Sequence, residues 1–327
     1  MTTENAVKAI VRKELADHFS SVRFPLICAL VFMTALSGAY LAGDGIKEWL
    51  SEGLGSLLAG RAFLALYSVP GAFVPVFTLI GYLGPLMGLL LGFGAVNRER
   101  QQGTLAKILA QPVYRDEVIA GKFLAGLITL AIMSAALLLL IAGLGLAAVG
   151  LIPTAGEAAR LAVFWLLSVI YLGFWLALAL LMSVVCRSVT ASALASGAAW
   201  VGLAFFVTVM AGGLAGALTP VSDPLNPSRE EIMARESLIR RVSLASPVNL
   251  YNEAAGFLLD PSRRTLHQGR QMTDQALTNR YIGRFSGPLE LSQSLILVLP
   301  HLAVLLALSA AAFWLSYLVF IRQEIRT

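Results

Sequence analysis

A charged island at positions 97–122, NRERQQGTLAKILAQPVYRDEVIAGK, stands between two long apolar runs. No catalytic set stands out in the segment, and what it can do is dock. Arg98, Glu99 and Arg100 open it and Gly103 breaks it. Thr104 restarts it as an N-cap, because a threonine hydroxyl can accept a first-turn backbone N–H. The spacing predicts a short helix over Leu105–Ala110. It stops ahead of Pro112, since the residue before a proline avoids the α region. Leu105, Ile108 and Leu109 fall on one face of that helix at i, i+3 and i+4. A short amphipathic helix held between two membrane spans is a handle for a soluble partner. The plainer alternative is a loop whose apolar residues lie against lipid headgroups.

The other reactive residue types mark no second site. Cys28 and Cys186 lie in or at the ends of apolar runs, and two thiols alone do not make a metal site. His18, His267 and His301 are scattered along the chain. His301 sits inside the last apolar run, where an ionisable group is either functional or a hydrogen-bonded packing residue. The phosphate-binding loop G-x-x-x-x-G-K-[ST] is absent, because Gly121 and Lys122 are followed by Phe123 without the preceding glycine loop. The chain is therefore not expected to hold ATP by that motif or to be an enzyme by itself. No cofactor and no metal are expected.

Composition supplies the frame around the island. Hydrophobic residues make up 57% of the chain, charged residues 13%, and the mean hydropathy is +0.78. Soluble domains lie nearer ~45–50% apolar and ~25% charged, so the fold class is an all-α polytopic membrane protein. A span needs about 20 apolar residues, and six runs qualify: 24–42, 74–96, 123–150, 161–186, 189–217 and 292–321. Only Arg187 and Ser188 separate the fourth and fifth, which makes them a tight hairpin. No run carries Asp, Glu, Lys or Arg in its interior, which counts against ion-coupled transport. Gly84, Gly88 and Gly92 recur at i+4 along the second run, with Gly212 and Gly216 in the fifth. Small residues at that spacing let helices approach closely.

Lysine and arginine set the orientation. Lys8, Arg12, Lys13, Arg23, the island cations, Arg187, Arg322 and Arg326 fall on one side. On the other, Lys47 and Arg61 are balanced by Asp44, Glu48 and Glu52, and Arg160 by Glu157. Both termini and the island are thus expected in the cytoplasm. The net charge of +5 reflects this topology and gives no support to nucleic-acid binding. Residues 1–23 are too long and too acidic for a signal-peptide n-region. Val7, Ile10, Val11, Leu15 and Phe19 form an apolar stripe there, as expected of a helix lying in the membrane interface. Residues 219–291 are expected outside. Pro220, Pro224 and Pro227 open this insertion, and Ser228 with Glu231 makes a capping box for a helix to about Leu244. Further helices are expected near Asn249–Leu259 and Met272–Ile282. Its nine arginines and eight acids mark no one ligand, so it is read either as a lid or as a platform for an extracytoplasmic partner.

With these parts in place, the island resembles the coupling region of exporter-type ABC permeases, six-span proteins with an interfacial helix and a separate ATPase subunit. The matching residues are Glu99, Gly103, Thr104 and Leu105 in Glu-x-x-x-Gly-Thr-Leu. Leu109, Pro112 and Arg115 follow, then Gly121 and Lys122. The permease of the nitrous-oxide-reductase copper-maturation transporter and its relatives form the subgroup it resembles. The resemblance covers the interfacial helix (1–23), all six spans and the coupling loop (97–122) of a single 1–327 permease domain, and the 219–291 insertion departs from it. It implies a bacterial or archaeal cytoplasmic-membrane protein paired with a second permease copy, with one ABC ATPase subunit beneath each. Helix 104–110 would sit in an ATPase groove, with Glu99 and Arg100 at the hinge. Ile108 and Leu109 would share the docking face with Leu105. Three functions follow: an export permease for a lipid-like or hydrophobic molecule, a subunit relaying ATP-driven motion to an outer partner, and an ion-coupled transporter.

Overall fold

Six helices are long and apolar enough to cross a membrane: Phe24–Glu48, Val76–Gln101, Arg115–Val149, Ala155–Val185, Val189–Leu218 and Leu291–Arg322. The computed structural model describes residues 3–52, 61–69, 74–111, 113–219, 228–261 and 289–323, and among these every regular element is helical. The chain is an all-α polytopic membrane protein. α1 (Thr3–Ser20) precedes the first long helix, α2 (Arg23–Ser51). A short α3 (Ala62–Ser68) leads to α4 (Val76–Gly92), α5 (Asn97–Gln101) and α6 (Thr104–Leu109). α7 (Arg115–Val149) and α8 (Ala155–Val185) follow. α9 (Val189–Val201) then passes through a wide π turn, Gly202–Phe206, into α10 (Val207–Leu218). α11 (Arg229–Ser243), α12 (Pro247–Leu259) and α13 (Leu291–Arg322) complete the order.

α8 is the hub, with its widest contacts to α13 and α4 and others to α7, α9 and α12. Lipid is as apolar as leucine, so between spans close packing replaces the hydrophobic pull. Glycine supplies that closeness on α4. A Cβ on Gly92 would stand 2.5 Å from the Ala179 Cβ, and one on Gly88 would stand 2.9 Å from the Leu172 carbonyl oxygen. Gly84 lies one turn further along, facing the Leu172 side chain. Gly212 and Gly216 behave differently. Gly212 meets open space and Gly216 only the far end of Arg235. Among the described residues, the small-residue pair of the fifth run therefore makes no close helix approach.

Two short helices differ from the sequence reading. α3 was not anticipated, yet Phe63 through Tyr67 are all buried and the Tyr67 hydroxyl donates to the Leu138 carbonyl. α12 was expected in a lid or outer platform, but every one of its residues is buried, and it lies against α13, α8 and α4. An apolar helix with so few polar residues has no wet face to offer, so it is taken into the bundle. Most of its polar residues find partners there, while the buried Asn252 Oδ1 has none among the described residues. Asn249 donates to Thr208 and to the Ser243 carbonyl, and Arg240 donates to Glu253. Tyr251 stacks on Tyr171 at 4.3 Å. The Tyr171 hydroxyl donates to the Gly81 carbonyl, which pins α4, α8 and α12 together. α11 carries the capping box at Ser228 and Glu231. The expected stretch at 272–282 and the proline-rich entry lie outside the described residues.

Candidate functional site: the island and the helices that hold it

The island begins where α4 loosens. Ser183 of α8 accepts hydrogen bonds from the backbone N–H groups of Val96 and Asn97, so it supplies the oxygen that a cap would. Asn97 donates in turn to the Ser188 carbonyl. α5 ends at Gln101, and Gly103 then adopts a φ of +67°, a conformation that costs any L side chain strain. Thr104 does not act as an N-cap acceptor. Its hydroxyl donates to the Glu99 carbonyl, bracing the break between α5 and α6. The short helix spans Thr104–Leu109, one residue earlier than its spacing predicted. Pro112 lies outside the described residues.

Leu105 corrects a second expectation. Read as part of a docking face, it is 2% exposed and packs with Val96, Val118, Ile119, Leu180, Val184 and Phe320. It anchors α6 to the bundle. The side chains of Ile108 and Leu109, the other two expected docking residues, lie outside the described ones; of the described side chains around α6, Gln101, Gln102, Lys107, Ala110 and Gln111 are exposed.

Glu99 sits in a four-charge square that joins α1, α5 and α7. Lys122 Nζ stands 2.8 Å from Oε1 of both Glu14 and Glu99, and Lys13 Nζ stands 2.9 Å from the same two oxygens. The Lys122 side chain is only 3% exposed. Each of these two oxygens is thus shared by two ammonium groups, an arrangement that compensates the desolvation of buried Glu14, Glu99 and Lys122, with half-exposed Lys13 closing it from the solvent side. The second oxygen of Glu99 is buried without a partner among the described residues. Burial opposes ionisation of Glu14, but Lys122 and then Lys13 outweigh it and hold the carboxyl below its ordinary value of 4.5. Burial likewise pulls against the Lys13 ammonium, and Glu99 and Glu14 together raise it above 10.5.

One turn further along α1, His18 Nδ1 lies 3.1 Å from the Thr129 hydroxyl oxygen. That hydroxyl donates its own proton to the Ala125 carbonyl, so it accepts from His18 and fixes the Nδ1–H tautomer. Burial, stronger than the pull of Glu14, lowers the His18 pKa below 6.5. α1 lies so close to α7 that a Cβ on Gly121 would stand 2.7 Å from the Ile10 side chain.

The end of α13 closes the site. Gln323 accepts from Arg100 and donates to the Val184 carbonyl. Arg115 caps the same helix by donating to the carbonyls of Gln323 and Ile321, at 2.8 and 3.3 Å. The structure therefore gathers Glu99, Thr104, Leu105 and Arg115 around one junction. It adds Lys13, Glu14, Ser183 and Gln323, which sequence reasoning missed, and it gives Lys122, named there only within the matching motif, its partners. Lys13 and Glu14 read as a solvated face. A signal was available, because Ala6, Ile10, Glu14 and His18 recur at i+4 on the side of α1 that meets α7.

At the opposite end, charge is buried too. Arg160 donates to Ser294 and to the carbonyls of Leu258 and Leu289. Glu157 accepts from the Phe63 and Thr154 N–H groups. His301 Nδ1 lies 3.0 Å from the Leu297 carbonyl, and its Nε2 is 3.8 Å from Glu253. Among the described residues no cluster could hold a metal ion.

Residues 8–325 match the model of a family described as ABC-2 family transporter protein. The chain belongs to that family. It is 33% identical over 158 residues to a protein named "Probable ABC transporter permease protein NosY" from Pseudomonas aeruginosa, covering 48% of this chain and 51% of that one. A protein of the same name from Stutzerimonas stutzeri is 32% identical over 119 residues, 36% of this chain and 38% of the relative. The matched stretch thus spans about half of the first relative's length and less of the second's.

Proposed function

We propose that this protein is the permease subunit of an ATP-driven exporter, working as a dimer with a separate ATPase subunit docked on each island. The observation that carries the reading is the convergence at the island. α1, α5, α6, α7 and the end of α13 meet there, tied by the four-charge square and by Gln323. A push on α6 therefore reaches four other helices through direct contacts. In this reading the island and both termini face the cytoplasm, which the lysine and arginine asymmetry supports. The chain itself does no bond-making, and hydrolysis belongs to its partner. Ile108 and Leu109, which the i, i+3, i+4 spacing puts on one face with Leu105, make the docking face, and Leu105 anchors it from behind. The cargo is lipid-like or hydrophobic.

The test is reconstitution of the purified chain with its ATPase subunit in vesicles, with hydrolysis and cargo movement followed together. Hydrolysis should require the assembled pair, and cargo should move only with ATP. Movement driven by a proton or sodium gradient alone would defeat the proposal.

One observation favours the relay reading as a second possibility. Buried α12 is joined through Glu253 and Arg240 to α11, where Met233, Arg235 and Arg241 are exposed. Motion of the bundle thereby has a path to an outer surface.

A further inference from the structure

Between α1, the island end of α4 and α6 lies a cleft of about 480 Å³, open on one side. Its lining has two parts. Phe24, Leu90 and Leu91 make an apolar floor, and Phe24 meets the half-exposed Phe19 edge-on. Lys13, Arg98 and Lys107 bring cations to the rim from three different helices or their flanks. Among the described residues neither Arg98 nor Lys107 forms an ion pair with a carboxylate. The Arg98 guanidinium lies across Gly94, where a Cβ would come within 3.1 Å of its Nη2. The carboxylates sharing the cleft are already matched. Glu14 and Glu99 each hold two ammonium groups, and Asp17 is 3.3 Å from Lys13. The field left at the rim is positive.

We propose that this cleft binds the phosphate headgroup of an anionic membrane phospholipid, whose acyl chains leave over Phe24 and Phe19. A phosphate has oxygens enough to bond Arg98 and Lys107 together, and the planar guanidinium suits it. The floor separates the two sources of phosphate, because apolar surface adds nothing to the hold on the inorganic ion and does add to that on an acyl chain. A basic helix lying at a membrane surface attracts anionic lipid in any case. The bound headgroup would join α6 to α5 beside the square, stiffening the junction. The placement at the cytoplasmic face rests on the function proposed above, whereas lipid binding by this chain alone needs no ATPase.

The full chain, purified in detergent, is offered phosphatidylglycerol or phosphatidylcholine and examined by native mass spectrometry, with inorganic phosphate as competitor. Phosphatidylglycerol should be retained about tenfold better, the scale of one charge-assisted hydrogen bond. The preference should vanish in Arg98→Gln/Lys107→Gln and survive in Arg98→Lys/Lys107→Arg, which keeps the charge and controls for folding. Inorganic phosphate should not displace the lipid. Equal retention of the two lipids, an unchanged preference in the glutamine variant, or displacement by phosphate would each overturn the proposal. So would lipid that leaves when the ATPase subunit assembles, since a protein side chain would then own the cleft. Failure of the ATPase to dock would leave the lipid measurement unaffected, so the two readings fail separately.

Discussion

At the scale of single residues, the square makes the sharpest demands. Removing one member strands charge that its neighbours had compensated, which costs roughly 3–5 kcal/mol for a buried pair. Lys122→Met should therefore lower the thermal midpoint of the detergent-solubilised chain, and Glu14→Gln in the same background should recover part of the loss. Two additive penalties would refute the shared-oxygen arrangement. Gly103 is constrained by its backbone alone, with nothing near its missing side chain. Gly103→Ala should cost about 1–2 kcal/mol at a left-handed φ. It should uncouple ATP hydrolysis from cargo movement more than it weakens assembly, as measured in reconstituted vesicles. His18 gives the pH dependence. Its folded pKa is depressed below 6.5, so the unfolded or undocked form takes up the proton first. The hold of α1 on α7 is then full above pH 6.5 and weakens as the pH falls through the lowered value. Hydrogen exchange in α1 should speed up over that acidic window, and His18→Asn should flatten the response.

At the scale of elements, the six spans were legible because each is a long apolar run without an interior charge. α3 was not, and α12 was legible as a helix but not in its place inside the bundle. Seven and thirteen residues fall short of a span, and from periodicity alone a short apolar run in a loop looks the same as a lid. The short island helix was legible from Gly103 and Pro112, but not the direction of its apolar face. Leu105 looked available because sequence cannot show that α7, α8 and α13 already cover it. The square was hidden for a related reason, since its partners lie 86 and 108 positions apart and no spacing pairs Lys13 and Glu14 with the motif residues Glu99 and Lys122. The packing reverses the mutational expectation for α6. Leu105→Asp should disrupt the permease itself, seen as loss of a monodisperse peak. Leu109→Asp should leave that peak intact and release the ATPase subunit. Identical behaviour of the two variants would remove the distinction between anchor and docking face.

At the scale of the whole molecule, charge collects at the two ends of an apolar bundle. Topology is testable through that asymmetry. A cysteine at Gln102 should react with an impermeant maleimide only after cells are permeabilised, and one at Ser237 on α11 should react in intact spheroplasts. The reverse pattern would invert the orientation proposed here. The ends also answer differently to their medium. Ions in solution screen charges that share their water and scarcely touch those sealed from it. Lys122, Glu14 and Glu99 are sealed, whereas Lys107 and Arg98 stand in the open. Washing with concentrated salt should thus strip away whatever the open cations hold and leave α1 seated on α7. A peripheral helix that behaves as an integral one under such washing is what a closed ring of charge produces.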